Sequence, residues 1–154
     1  MKTFSIAVAM LASLVAAGDF SKSCTDEHID PATQVLTANC SAGDGKGTVK
    51  STSLDLNACF TYTGTKIQYS GKGNFGDACN DCYVYRIEDP VYGPIFGTTR
   101  VWLSCSCNGS ESQIELGKWP HFSSSDEPRP SANVLFLLDT TPVSNKYGTL
   151  SCTS

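Results

Sequence analysis

Phe20-Ser21-Lys22-Ser23-Cys24 opens a stretch that runs through Val35-Leu36-Thr37-Ala38-Asn39-Cys40 and ends at Ser51-Thr52-Ser53-Leu54-Asp55-Leu56-Asn57-Ala58-Cys59-Phe60. A weaker copy starts at Phe75-Gly76-Asp77-Ala78-Cys79. It continues through Val101-Trp102-Leu103-Ser104-Cys105-Ser106-Cys107 and Ser112-Gln113-Ile114-Glu115-Leu116. In both, Phe precedes Cys by the same spacing, an apolar residue and Leu lead to a Cys, and an apolar-acidic-Leu triplet follows a linker that contains Gly. Two copies of one strand plan imply a duplicated all-β unit.

The 154 residues suffice for one domain, and a hydrophobic fraction of 40% is a globular value. A formal net charge of −4 argues against nucleic acid and anionic membrane surfaces as partners, because both select a basic footprint. Residues 1–17 read as a signal peptide. Met1-Lys2 is a short positive start, and Phe4 to Val15 is apolar but falls short of the ~20 residues a spanning helix needs. Val15-Ala16-Ala17 offers small residues for cleavage. The alternative, an N-terminal core helix, has no cap or amphipathic period behind it. The mature protein is therefore expected to be secreted, soluble and oxidised, which accounts for its eight cysteines.

Along the chain, Phe20 to Ile29 reads as a first strand ended by Pro31. Gln34 to Cys40 alternates Val35, Thr37 and Asn39 on one side with Leu36, Ala38 and Cys40 on the other. Ser41 to Gly47 is a Gly-rich turn, and Thr48 to Ser53 is a strand. Gly64 turns the chain toward Lys66 to Tyr69, and Ser70 to Gly73 joins the copies. In the second copy Asp89 to Pro94 widens a loop, and Phe96 to Cys107 returns as a strand. Ser123 to Pro130 has loop composition, and Ala132 to Leu138 is rich enough in β-formers for an extra strand.

Several chemistries compete for these residues. The Gly43 to Gly47 run lacks the Gly-Lys-Ser/Thr ending and following helix of a phosphate loop. Cys79-Asn80-Asp81-Cys82 with Cys105 and Cys107 has spacing that zinc accepts, although a secreted chain with paired cysteines favours disulfides. A thioredoxin-like site lacks its βαβ context. The two histidines, His28 and His121, sit in no nucleophile motif. A small secreted ribonuclease using His, Glu and Arg as acid, base and phosphate clamp is the enzyme alternative. His28, beside Asp26 and Glu27, reads more simply as part of a solvated strand face.

The ordered, repeated pattern resembles the cyanovirin-N homology family, a group of small, often secreted, sugar-binding β-proteins. The first copy matches through Phe20, Cys24, Leu36, Cys40, Leu54-Asp55-Leu56-Asn57 and the Gly64 to Tyr69 ending. The second matches through Phe75, Cys79, Leu103, Cys107, Ile114-Glu115-Leu116 and Gly148-Thr149-Leu150. The resemblance implies an all-β, pseudo-symmetric duplicated fold of triple-stranded sheets and β-hairpins. One domain would span 18–154, with repeats at about 19–71 and 72–154 and an insertion at about 117–147. It also implies a short helical turn over Leu54 to Cys59 with Leu54 and Leu56 buried. Halves could exchange between chains at the Ser70 to Gly73 joint, so a monomer or a domain-swapped dimer is expected.

Eight cysteines allow on the order of a hundred connectivities. Cys24–Cys40 and Cys79–Cys107 match the family's bridges. Cys82 and Cys105 lie on the same two strands as the second bridge. In an antiparallel ladder the index sums of the two pairs should agree, and they differ by one, so one bulge reconciles them. Cys59 and Cys152 remain, and in the family fold the chain end packs back on the first half.

Cyanovirin-like proteins bind mannose-rich glycans in two shallow polar pockets without a metal or other cofactor. Carried over by position, one pocket would use Asp19, Lys22, Ser23, Ser41, Asp44, Asn145 and Lys146. The other would use Tyr62, Thr63, Asn74, Asp77, Asn108 and Ser110. The family's Asn-x-Asp-Gly turn is absent from Tyr62-Thr63-Gly64 and from Asn145-Lys146-Tyr147-Gly148, and Ala78 stands where a hydroxyl is preferred. The plainer reading is polar loop residues on a scaffold kept for interaction with another protein. Asn39-Cys40-Ser41 and Asn108-Gly109-Ser110 are glycosylation sequons, and a glycan on Asn108 would block the second pocket. The expected partners are mannose-rich glycans or glycoproteins, with no nucleic acid and no membrane.

Overall fold

The structure is a computed structural model that describes residues 18–71, 73–90, 92–117 and 142–152. The leader, His121, the strand expected over Ala132 to Leu138, and most of the insertion lie outside the described residues.

Two three-stranded antiparallel sheets repeat one plan. The first has β2 (Cys24–Ile29), β3 (Val35–Ser41) and β4 (Val49–Asp55). The second has β7 (Cys79–Glu88), β8 (Thr99–Cys107) and β9 (Ser110–Glu115). Each sheet is followed by a hairpin, β5 (Phe60–Tyr62) with β6 (Ile67–Tyr69), and β10 (Val143–Lys146) with β11 (Thr149–Cys152). The short β1 (Gly18–Asp19) pairs with the edge of β10.

The hairpins cross over between the halves. Ile67 N donates to Ser112 Oγ at 2.8 Å, seating the first hairpin on the second sheet. Leu150 N donates to Thr52 Oγ1 at 3.1 Å, seating the second hairpin on the first sheet. Thr52 and Ser112 precede Leu54-Asp55-Leu56 and Ile114-Glu115-Leu116 by the same spacing, so one hydroxyl position serves both halves.

The repeated Phe, Leu and Cys positions are the core. Phe20, Leu36 and Leu56, with their counterparts Phe75, Leu103 and Leu116, are all 0% exposed. Phe60 lies edge-on to Phe75 at 6.2 Å and to Tyr69 at 6.4 Å, which joins the halves through aromatic contact. Disulfides link Cys24–Cys40, Cys79–Cys107, Cys82–Cys105 and Cys59–Cys152. The ladder between β7 and β8 shifts between Asn80 and Tyr83, and the ladder between β2 and β3 shifts between Thr25 and His28. Asp81 and Asp26 stand at these bulges with φ of 49° and 56°.

Four local readings need correction. Phe20 does not begin a strand: Phe20–Ser23 is one helical turn, α1, capped where Asp19 accepts from Ser21 N at 3.0 Å. Gln34 precedes β3 with φ 58° rather than starting it. The strand expected from Thr48 to Ser53 instead runs Val49–Asp55, which places Leu54 half-buried in β4, and the helical turn is only Leu56–Ala58. Phe96 ends a second turn, α2 (Gly93–Phe96), and β8 starts at Thr99.

At the joint, a Cβ on Gly73 would fall 1.6 Å from Asn57 O, so glycine alone fits there. Asn57 stitches the joint further: its carbonyl accepts from Asn74 N at 2.7 Å, and its Oδ1 accepts from Gly76 N at 2.9 Å.

Candidate functional site

The residues carried into the first pocket gather where β1, the 42–48 loop and the β10–β11 turn meet, and most are occupied by the fold itself. Asp19 caps α1, accepts from Ser21 Oγ at 2.7 Å, and pairs with Lys22 Nζ at 3.5 Å. Ser23 Oγ donates to Asp19 O at 2.7 Å. Asp44 folds its loop by accepting from Lys46 N at 2.9 Å and from Thr48. The Thr48 hydroxyl and the Lys46 amide hold its carboxyl below the ordinary value.

Asn145 is 3% exposed. Its Nδ2 donates to Ser41 O at 2.9 Å, and its Oδ1 accepts from Gly148 N at 2.8 Å. Tyr147 and Gly148 have φ of 54° and 82°, the mirror-image turn that suits a tight hairpin. Asn145 therefore locks this turn to the end of β3. Lys146 is exposed beside it.

At the opposite end, the turn between β8 and β9 borders a cleft of about 540 Å³. Its polar lining comes from Asp77, Asn80, Asp81, Ser106 and Asn108. Asn108 N donates to Ala78 O at 3.0 Å, which fixes the turn against the Phe75–Asp77 turn. Asn74 Nδ2 bonds Asp77 Oδ2. Of the residues carried into the second pocket, Asp77 and Asn108 line this cleft, whereas Asn74, Tyr62, Thr63 and Ser110 do not. Thr63 closes the β5–β6 turn through its N–H to Lys66 O at 3.1 Å.

Asn80, Asp81 and Ser106 escaped the sequence reading. A signal was present: the one-residue mismatch between the two cysteine pairs requires an extra residue between Cys79 and Cys82, and that residue turns out toward the cleft.

The two sequon asparagines differ in setting. Asn39 Nδ2 donates to Asp26 Oδ2 at 3.0 Å from within β3, whereas Asn108 is exposed on its turn with φ 51°. His28 is exposed on β2. Its neighbour Glu27 is tied to Arg86, whose guanidinium also donates to Ser21 O, Cys24 O and Thr99 Oγ1, so its donors are engaged by the fold. Among the described residues no cluster of His, Cys, Asp or Glu could hold a metal ion, and no helix is long and apolar enough to cross a membrane.

The CVNH domain model matches residues 20–125. The chain belongs to the CVNH family. Solved structures agree on the fold. GzCVNH from Gibberella zeae superposes with a TM-score of 0.57 at 16% identity, over 88% of this chain and 97% of that one. A designed cyanovirin-N homolog lectin gives 0.57 at 13% identity, over 88% and 100%. TbCVNH from T. borchii gives 0.54 at 15% identity, over 88% and 100%. No curated protein matches the chain. The CVNH family is known for carbohydrate-binding, non-catalytic proteins.

Proposed function

We propose that this CVNH protein is a secreted lectin-like protein that binds mannose-type glycans, without catalysis or a metal. The observation that carries the proposal is the cleft beside Asn108. Carboxylates and amides converge there on a volume of about 540 Å³, within the usual range for small-ligand sites. Such groups hold sugar hydroxyls in pairs, and an epimer leaves one partner unmatched. The cleft at the second end is the primary site in this reading, because at the first end Asn145 and Asp44 are committed to holding loops. Secretion is supported by the leader-like residues 1–17 and by four disulfides, which persist in oxidising compartments. The mature chain from about Gly18 is proposed to act as one domain of two repeats, as a monomer or a domain-swapped dimer.

The test is a glycan array with the oxidised protein in glycosylated and deglycosylated forms. Selective binding to mannose-type glycans that weakens on Asp77→Ala and Asn108→Ala supports the proposal. Binding only after deglycosylation shows that an attached glycan blocks the site, and peptide mapping then assigns it to Asn108 or Asn39. Absence of binding in both forms, with the disulfides intact, overturns it in favour of an interaction protein. For that second reading Ile95 and Phe96, 71% and 70% exposed at the tip of the β7–β8 loop, are the surface to examine.

A further inference from the structure

The outer face of the second sheet carries a feature that the first sheet lacks. Tyr83 and Tyr85 lie on the same face of β7, in register with Ser104 and Trp102 of β8 and, through them, with Gln113 and Glu115 of β9. Tyr83 Oη donates to Glu111 Oε1 at 3.3 Å, and Tyr85 Oη donates to Gln113 Oε1 at 3.2 Å. Both partners are on β9, two strands away, or roughly 9.5 Å at normal strand spacing. A tyrosine on β7 reaches that far only by lying flat over β8. Both lean the same way, so the rings rest side by side, 5.7 Å between centroids and tilted by 36°. Beneath them Ser104 is 0% exposed, while Tyr83 is 51% exposed. The corresponding positions of the first sheet, His28, Thr37, Ser51 and Ser53, carry no tyrosine, phenylalanine or tryptophan.

We propose that this face is a stacking platform for a neutral chain of β-1,4-linked, gluco-configured pyranoses. Such sugars carry their hydroxyls around the equator and present C–H groups on both flat faces. An axial hydroxyl, as in mannose, interrupts one of those faces. The two tyrosines offer flat, pre-positioned rings whose hydroxyls are already held, so little conformational freedom is lost on binding. Acceptors stand at the edge. Ser104, Gln113 and Tyr83 all donate to Glu111 Oε1 and hold that carboxyl below its ordinary value, leaving Oε2 with no partner among the described residues. The exposed Glu111 carboxylate disfavours anionic chains and suits hydroxyl donors, while Glu115 on the same strand is half-buried and paired with Arg100 at 3.8 Å. The inference goes beyond the cleft at Asn108, and neither depends on the other.

The test is a nuclear magnetic resonance titration of the oxidised protein with cellohexaose, and separately with mannobiose. Cellohexaose is expected to shift the Trp102 indole N–H and the amides of Tyr83, Tyr85 and Gln113, leaving Asp77 and Asn108 in place. Y83A/Y85A is expected to weaken cellohexaose binding at least tenfold, while Y83F/Y85F, which keeps the rings, stays within about threefold. If the alanine pair does not fold, Y83L/Y85L gives the same comparison with an apolar but non-planar side chain. No shift on β7 to β9 up to ten millimolar cellohexaose overturns the proposal, as does a shift confined to the Asn108 cleft. Unchanged affinity in the ring-less variant does so too. Mannobiose reports on the cleft alone, so failure of one site is separable from failure of the other.

Discussion

Arg86 Nε donates to Glu27 Oε2 at 3.1 Å across the boundary between the halves, and its terminal nitrogen bonds Glu27 Oε1 as well. The pair is a fork-to-fork contact between β7 of one half and β2 of the other. The same guanidinium donates to Ser21 O at 2.7 Å, Thr99 Oγ1 at 2.6 Å and Cys24 O at 2.6 Å. It thus ties together α1, β2, β7 and β8.

Arg86→Ala strands the Glu27 carboxylate, whose side chain is only 7% exposed, and leaves two carbonyls without their donor. Breaking a fully buried pair costs about 3–5 kcal/mol, and the 30% exposure of the Arg86 side chain lowers this to roughly 2 kcal/mol. Arg86→Lys keeps the charge but loses the fork, so it recovers less than half of the loss. Urea unfolding of the oxidised proteins is expected to show a lower midpoint with an unchanged slope. An unshifted midpoint for Arg86→Ala would show that the hydrophobic core alone holds the halves.

Glu111 and Glu115 share β9 and are pushed in opposite directions. Hydrogen bonds from Ser104, Gln113 and Tyr83 lower the Glu111 carboxyl. Burial raises that of Glu115, aided by Asp19 and Asp89, with Arg100 opposing. The folded state therefore binds the Glu111 proton more weakly than the unfolded state does. Its stabilisation is present above the unfolded value near about 4.3 and is lost as pH falls through the lower folded value. At Glu115 the folded state binds the proton more tightly, so stability declines as pH rises from the unfolded value through the raised folded one. Thermal melts at about pH 3 to 7 are expected to show Glu115→Gln gaining on the wild type as pH rises, and Glu111→Gln gaining as pH falls. Slopes of the same sign would refute the assignment.

Much of the fold was legible because the duplication repeats its buried positions: Phe20 with Phe75, Leu36 with Leu103, Leu56 with Leu116, and the cysteines beside them. Their spacing is set by strand geometry, which a sequence displays directly. The helical turn at Phe20–Ser23 was not legible, because one turn is too short to show a period and depends on a single cap from Asp19. The site was less legible still. Asn145 and Asp44 have the composition of sugar ligands, yet in the fold their side chains satisfy backbone groups of turns. Asn80, Asp81 and Ser106 became cleft residues only through the bulge.

Cys59 and Cys152 are separated by 93 residues, and this bridge joins the first half to the hairpin of the second. By loop entropy it is worth roughly 4–5 kcal/mol, against about 3 kcal/mol for Cys24–Cys40 at a separation of 16. It also constrains association. If chains exchange halves at the Ser70 to Gly73 joint, Cys59 of one chain must pair with Cys152 of the other, and the dimer becomes covalent. Any exchanged dimer of the oxidised protein should therefore run as a dimer in non-reducing denaturing gels and as a monomer after reduction. Cys59→Ala with Cys152→Ala should form a dimer that denaturant alone dissociates. An exchanged wild-type dimer that runs as a monomer without reductant would contradict the crossing.

Asn145 and Asn108 separate holding from binding. Asn145 is buried, and its amide satisfies Ser41 O and Gly148 N, whereas Asn108 is exposed and lines the cleft. Asn145→Ala removes the partners of the buried Gly148 N–H and of Ser41 O, and is expected to cost about 1–3 kcal/mol in unfolding free energy. Any loss of glycan binding it causes at the second cleft should be small, since the two ends of the molecule are built from different loops. Asn108→Ala should leave stability within about 1 kcal/mol, with the αL turn position as its main cost, and weaken glycan binding at the cleft. Calorimetric melts and mannobiose titrations on the same pair of variants decide the matter. If Asn145→Ala keeps its melting temperature but loses all sugar binding, the site lies at the first end, and the tethered Asn145 amide is released to the ligand.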